Sequence, residues 1–231
     1  MTEIMLNLTV RPIPYPEKVY DRLALEAKEI IERYPHPRSA LLPLLHLVQS
    51  VEGYVSGTGI EFCAGQLGLT DAEVTAVATF YSMYRRTPTG DFHVGVCTNT
   101  LCAVMGGDEI FSELKQHLGI KHGETTADGA VTLEHIECNA ACDYAPVMTV
   151  NWEFFDNQTP DSAKGMVDAL RRGDEVTGTR SGIPLCTFRE TARILAGYED
   201  QRPGATDGAP GPATLAGLEV AEQDSTDGGV K

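Results

Sequence analysis

From Glu17 onward apolar residues recur every three or four positions. Val19, Leu23, Ala27, Ile30 and Tyr34 make one stripe, and Pro16 suits the first turn of the helix this predicts. Pro35 and Pro37 stop that helix. A second is predicted from Ser39 to Glu52, with Leu41, Leu44, Leu45, Val48 and Val51 as its stripe. Pro43 is tolerated there only because it falls near the first turn, and Gly53 ends the run. Ile60 to Leu67 predicts a short third helix. Thr70-Asp71-Ala72-Glu73 is a capping box, and the helix it opens carries Val74, Val77, Ala78 and Tyr81. Residues 16–86 therefore read as small helices packed on one another, with no catalytic cluster, preceded by an arm over residues 1–15.

At Thr87-Pro88-Thr89-Gly90 the period shortens to two. Phe92, Val94 and Val96 share one face of a strand that runs straight into Cys97. Thr98 to Cys102 leads into a helix continuing through Glu113 to Leu118. A turn at Asp128-Gly129 precedes a second strand, Val131 to Ile136, and Cys138 follows it. Val147 to Val150 and Trp152 to Phe155 read as two further strands, and Pro160-Asp161 opens a last helix through Met166, Val167 and Leu170. The order strand, helix, strand, strand, strand, helix is that of a small thioredoxin-like α+β domain, residues 87–173. Residues 174–202, with Arg180, Arg189 and Arg193, read as a docking arm rather than a core element. From 203 to 231 Gly, Pro, Ala, Asp and Glu dominate, which predicts an acidic disordered tail.

The chain has 231 residues and a formal charge of -15. That charge argues against binding a phosphate backbone, so no nucleic-acid partner is expected. No stretch reaches the apolar length of a membrane span and the N-terminus lacks a signal region, so a soluble, intracellular chain without direct membrane insertion is expected. In that setting the six cysteines read as ligands or free thiols rather than disulfides.

Four of them carry the chemistry. Cys97 and Cys102 are spaced C-x4-C, Cys138 and Cys142 C-x3-C, and each pair follows a predicted strand. If the two loops meet at one end of the sheet, four soft thiolates converge, a donor set that selects zinc, Cu(I) or iron–sulfur over hard cations. Backbone N–H groups in the loops, including those of Gly106 and Gly107, are candidate donors to the sulfurs. The spacing admits a four-cysteine zinc site as well as a [2Fe–2S] centre. It does not match the plant-type ferredoxin pattern, and no C-x2-C exists to serve as a working dithiol.

The segments Cys97-Thr98-Asn99-Thr100-Leu101-Cys102, Gly106-Gly107 and Glu137-Cys138-Asn139-Ala140-Ala141-Cys142-Asp143-Tyr144-Ala145-Pro146 resemble the thioredoxin-like [2Fe–2S] subunit of respiratory complex I, over roughly residues 16–172. The resemblance implies an α+β fold with an N-terminal helical bundle. It implies one [2Fe–2S] cluster on Cys97, Cys102, Cys138 and Cys142, and no catalytic acid or base. It further implies a flavoprotein partner holding FMN, the NADH site and a [4Fe–4S] cluster, a large iron–sulfur subunit as second neighbour, and a place in the peripheral arm on the cytoplasmic side of the membrane. The same domain also serves diaphorase subunits of NAD-linked hydrogenases and formate dehydrogenases. A zinc-stabilised interaction module and a free ferredoxin are the other rivals. The family usually has Gly where this chain has Ala140, which puts the loop's backbone in question.

Of the remaining residues, Cys63 reads as a buried free thiol and Cys186 as unplaced. His46 reads as a core residue, and His135 as a solvated strand residue or a group tuning the site from nearby. Gly57-x-Gly59 has Phe62 where a dinucleotide fingerprint needs its third glycine, and there is no P-loop. A cis Ala145–Pro146 bond is expected before the third strand.

Overall fold

The computed structural model describes residues 13–205 and 215–220. Its N-terminal part is a helical unit: α1 (Glu17–Ile31), α2 (Leu41–Glu52), α3 (Gly57–Leu67) and α4 (Asp71–Phe80). α1 buries Leu23, Ala27 and Ile30, one face at helical spacing. α2 is apolar nearly all round and sits at the centre, which is why Leu44, Leu45, Leu47 and Val48 are all fully buried. Pro43 falls in its first turn, and Gly53, at φ +79°, closes it in the left-handed region that glycine adopts without steric cost. α3 starts three residues before the predicted Ile60. Ser56 Oγ caps it by accepting from Gly59 N–H at 3.0 Å, and Gly59 itself lies too close to the Val48 side chain for a larger residue. The Thr70–Glu73 capping box is present as expected.

The second unit is a four-stranded sheet, β1 (Phe92–Cys97), β2 (Val131–Ile136), β3 (Met148–Val150) and β4 (Glu153–Phe155), in the order β2-β1-β3-β4. β1 runs parallel to β2 and antiparallel to β3, with Cys97 opposite Ile136 and Val96 opposite Met148. Between β1 and β2 lie α5 (Thr100–Val104) and α6 (Gly107–Leu118), where the sequence predicts one helix. Gly106, at φ +113°, breaks it in two. α7 (Pro160–Arg172) packs beside α6. Val94, Val96, Leu133, Met148 and Val150 bury one sheet face against Ile110 and Leu114 of α6 and Val167 and Leu170 of α7. The β3–β4 hairpin turns on Asn151 and Trp152, both at positive φ, as a two-residue hairpin requires. Buried Asn151 also accepts from His93 N–H and donates to the carbonyls of Asp91 and Cys186, tying three segments together.

The stretch expected to form a docking arm is instead packed into the chain. α8 (Phe188–Leu195) lies on α2, with Phe188, Ala192 and Ala196 almost fully buried. Arg189 donates to the carbonyls of Val51 and Glu52 at the C-terminus of α2, where orphan acceptors and the negative dipole end favour a cation. Arg193 pairs with Glu26 at 2.9 Å, and Arg180 with Asp156. All three arginines read as docking groups are therefore engaged within the chain. The strong amphipathicity of Phe188–Leu195 is the physical reason: its apolar stripe fills the exposed side of α2. Of the predicted tail, residues 203–205 form a turn and residues 215–220 are helical and exposed. Residues 206–214 and 221–231 lie outside the described residues, as do residues 1–12 of the N-terminal arm.

Candidate metal centre

Cys97 is the last residue of β1 and Cys102 lies in α5, and both are almost fully buried. Cys138 and Cys142 follow β2 and are exposed. Cys97 and Cys102 share a small buried cluster with Ala141 and Ala145, which flank Cys142, and with Val147. The buried pair therefore lies against the loop that carries the exposed pair. Cys138 Sγ and Cys142 Sγ are 3.9 Å apart. Two thiolates on one tetrahedral ion with metal–sulfur bonds of 2.3 Å sit about 3.8 Å apart. Among the described residues, no three His, Cys, Asp or Glu side chains group about a single point.

Local contacts hold the two loops in register. Asn99 donates through Nδ2 to the Ile136 carbonyl at 2.9 Å and lies 3.8 Å from Cys97 Sγ, so it links the end of β1 to the end of β2. Val147 accepts from Cys97 N–H at 3.1 Å, and its backbone lies near enough to the Cys102 thiol to oppose the rise in that thiol's pKa, so one residue bears on both buried cysteines. Gly107 opens α6 directly under them; a Cβ there would lie 2.4 Å from the Cys97 carbonyl oxygen. Ala140 adopts φ +56°, the left-handed conformation its replacement of glycine put in question, and its N–H donates to Cys138 Sγ at 3.4 Å. The Ala145–Pro146 bond is cis, as expected. The sequence expectation for Gly106 is corrected: its N–H donates to the Ala103 carbonyl at 3.1 Å, within the turn that ends α5.

The thiols perturb one another. Cys102 is pushed up to about 11, first by burial and then by its hydrogen bond with Cys97 and the charges of Cys97 and Cys142; the Val147 N–H opposes the shift. Cys142 is raised chiefly by Cys138. Ionising several of these sulfurs together is unfavourable without a compensating cation, which is the condition under which metal binding displaces thiol protons. A buried Cys97–Cys102 pair packed against the loop that carries Cys138 and Cys142 supplies soft donors of the kind that iron–sulfur groups use.

Other sequence candidates fall elsewhere. Cys63 is fully buried in the helical unit and its thiol is pushed far up by burial. Cys186 Sγ lies 3.2 Å from Thr191 Oγ1. His135 is exposed, and its ring stacks on His122 at 4.2 Å and meets Phe111 edge-on, rather than any cysteine. His46 is buried beside Tyr84. His93 is fully buried and shares Glu134 with Arg85, a polar bridge that the sequence reading missed.

The thioredoxin-like [2Fe-2S] ferredoxin family matches residues 27–171. The chain belongs to that family. It is 66% identical to the E subunit of NADH-quinone oxidoreductase from Mycobacterium tuberculosis, over 92% of this chain and 84% of that protein. It is 36% identical to an E subunit of NADH-quinone oxidoreductase from Rhizobium meliloti, over 66% of this chain and 90% of that one. Among solved structures, an NAD+-reducing [NiFe]-hydrogenase in the air-oxidised state superposes with a TM-score of 0.52 at 19% identity, over 58% of this chain and 23% of the longer one, a likeness of fold. No described helix is long and apolar enough to cross a membrane.

Proposed function

We propose that this chain is the electron-carrier subunit of an NADH:quinone oxidoreductase. In this reading Cys97, Cys102, Cys138 and Cys142 hold one [2Fe–2S] cluster, and the face around Cys138 and Cys142 meets a flavoprotein subunit carrying FMN, the NADH site and a [4Fe–4S] cluster. When bound, a [2Fe–2S] cluster supplies a one-electron couple, which matches a two-electron hydride donor to one-electron acceptors through flavin. The chain's own task is to hold the sulfurs, donate to them and govern access of water. The observation that carries the reading is the packing of the buried Cys97–Cys102 pair against Ala141 and Ala145 of the other loop.

Burial of one pair excludes water from one side of the site, while Ala140 N–H donates to Cys138 sulfur and tempers its negative charge. Leu101, Val104, Met105 and Tyr144 expose apolar surface on α5 and beside Cys142, a rim suited to a partner that completes the exclusion of water. The large iron–sulfur subunit is the second proposed neighbour, and the peripheral arm on the cytoplasmic side of the membrane the proposed location.

The test is iron and acid-labile sulfide analysis of anaerobically purified chain, with EPR after dithionite reduction. Two irons and two sulfides per chain and a half-integer-spin signal are expected. Ser at Cys97, Cys102, Cys138 or Cys142 should abolish or alter the signal, and Ser at Cys63 or Cys186 should leave it intact. Stoichiometric zinc in protein matured with adequate iron and sulfide would overturn the reading. Recovery from cells with hydrogenase or formate dehydrogenase subunits, in place of quinone-reducing ones, would overturn the complex proposed.

A further inference from the structure

Arg180 lies against the turn that carries Cys142. After α7 the chain doubles back: Thr177 and Pro184 bridge antiparallel, Leu185 N–H donates to the Val176 carbonyl at 2.8 Å, and Gly182 at φ +65° helps close the turn. The tip of this turn is fastened to β4. Thr179 N–H and Oγ1 both donate to the Phe154 carbonyl at 2.9 Å, and Thr179 Oγ1 accepts from Asp156 N–H at 3.0 Å. β4 is an edge strand, and the turn supplies donors and an acceptor along that edge.

From that fixed tip the Arg180 guanidinium contacts four side chains. Nε and Nη2 donate to the Asp156 carboxylate at 2.9–3.1 Å in a forked arrangement, and Asp156 is only 11% exposed. The guanidinium carbon lies 4.6 Å from the centre of the Phe154 ring and 5.7 Å from that of Tyr144. Nη2 is 3.7 Å from Asp143. Asp143 and Tyr144 are the two residues after Cys142, in the same one-turn 3-10 helix. One planar cation therefore joins the ligand turn to the sheet edge by charge, fork and ring contact together, a combination lysine cannot reproduce.

We propose that Arg180 is a positioning residue for the Cys138–Cys142 loop: it clamps the Cys142 turn to β4 and offsets the carboxylates beside it. The inference rests on the four-cysteine reading above. Reduction adds negative charge to a thiolate-bound cluster, so a fixed cation nearby favours the reduced form and a fixed anion disfavours it.

The test compares R180Q, D156N and R180K in the full chain loaded with iron and sulfide, with midpoint potentials from EPR-monitored redox titration. R180Q should lower the midpoint. D156N loosens the same clamp but removes a negative charge, so it should raise the midpoint. A merely structural role would move both variants the same way. R180K should hold the midpoint close to that of the unsubstituted chain, while amide exchange across residues 139–145 quickens because the fork is lost. Shifts of R180Q and D156N in the same direction, or no shift in either, would overturn the proposal. If R180Q does not retain the cluster, an unmoved midpoint in D156N overturns it alone. Amide exchange in the metal-free chain separates the two readings: unchanged protection at 139–145 in R180Q and R180K rejects the clamp, whereas a missing EPR signal in the unsubstituted chain rejects the cluster.

Discussion

Gly107→Ala is the sharpest probe of how α6 supports the cysteine loop. A Cβ at this position meets the Cys97 carbonyl oxygen at 2.4 Å, the Cys102 carbonyl oxygen at 2.9 Å and the Cys102 carbonyl carbon at 3.0 Å. All three atoms are backbone, so no rotamer change relieves the contact. Ordinary contact begins near 3.4 Å, so α6 and the Cys97–Cys102 loop must separate by about 1 Å (3.4 minus 2.4). Forcing a methyl group into packed surroundings costs about 1–3 kcal/mol, against at most about 1 kcal/mol gained by alanine over glycine in a helix. With the full helix gain subtracted, the net loss is up to about 2 kcal/mol, or a fall of up to roughly 8 °C in Tm for a chain of this size. Gly165→Ala in α7 is the matched control, since it is exposed, helical and has nothing within 4 Å of its added Cβ. There the propensity gain stands alone, and Tm should rise by roughly 2–4 °C. Thermal unfolding by circular dichroism reads both, with iron content per chain as a second measure expected to fall only in Gly107→Ala. If the two variants shift Tm in the same direction, the close approach of α6 to the ligand loop is not a constraint and the reasoning fails.

Ala140→Gly should raise stability slightly, by about 0.5–1 kcal/mol, because the left-handed conformation costs alanine about 1–2 kcal/mol and glycine gives back part of that gain as chain entropy in the unfolded state; a Tm at or below the parent's would count against it. His46 is held at about 4 by burial, below the ordinary histidine value of 6.5. The unfolded chain therefore takes up a proton that the folded chain refuses, so His46 costs nothing above pH 6.5 and destabilises progressively as pH falls toward 4, by up to roughly 3 kcal/mol. Urea titrations of the parent and of His46→Leu between pH 7 and 4 should show the variant losing less stability over that window, and equal slopes would refute the assignment. Phe188→Ala should cost about 3–5 kcal/mol in urea unfolding, as for a filled core site, whereas an arm lying free of the chain would lose almost nothing.

What could be read in the chain, and what could not, follows from the range of the interactions involved. Period and caps act over a few residues, so the Thr70 capping box, the strands before Cys97 and before Cys138, and the helix end at Gly53 were legible. The split between α5 and α6 was not, since Met105-Gly106 reads equally well as a weak point in one helix; it takes the close approach of Gly107 to Cys97 to require two. α8 was misread for a related reason. Its stripe of Phe188, Ala192 and Ala196 is a local signal, yet the surface it fills belongs to α2, more than a hundred residues earlier in the chain. The arginines around it then looked free, because their partners, the carbonyls of Val51 and Glu52, and the side chains of Glu26 and Asp156, are distant in sequence or are backbone groups with no signature. The same holds at the site. Cysteine spacing identified the candidate ligands, but the groups that hold the two loops together, Asn99 across to Ile136 and Val147 to Cys97, act between segments that meet only when the sheet forms. Ala140 marks where the two kinds of information conflict. Its side chain opposes the conformation that it adopts, and what surrounds it opposes any other: the N–H must face Cys138, and the residues that follow are fastened through Tyr144 to Asn157 and through Pro146 to Gln158. A local preference worth about 1–2 kcal/mol gives way to a loop tied at both ends, and the strained residue lies between two candidate ligands, where the path of the backbone sets the direction of both sulfurs.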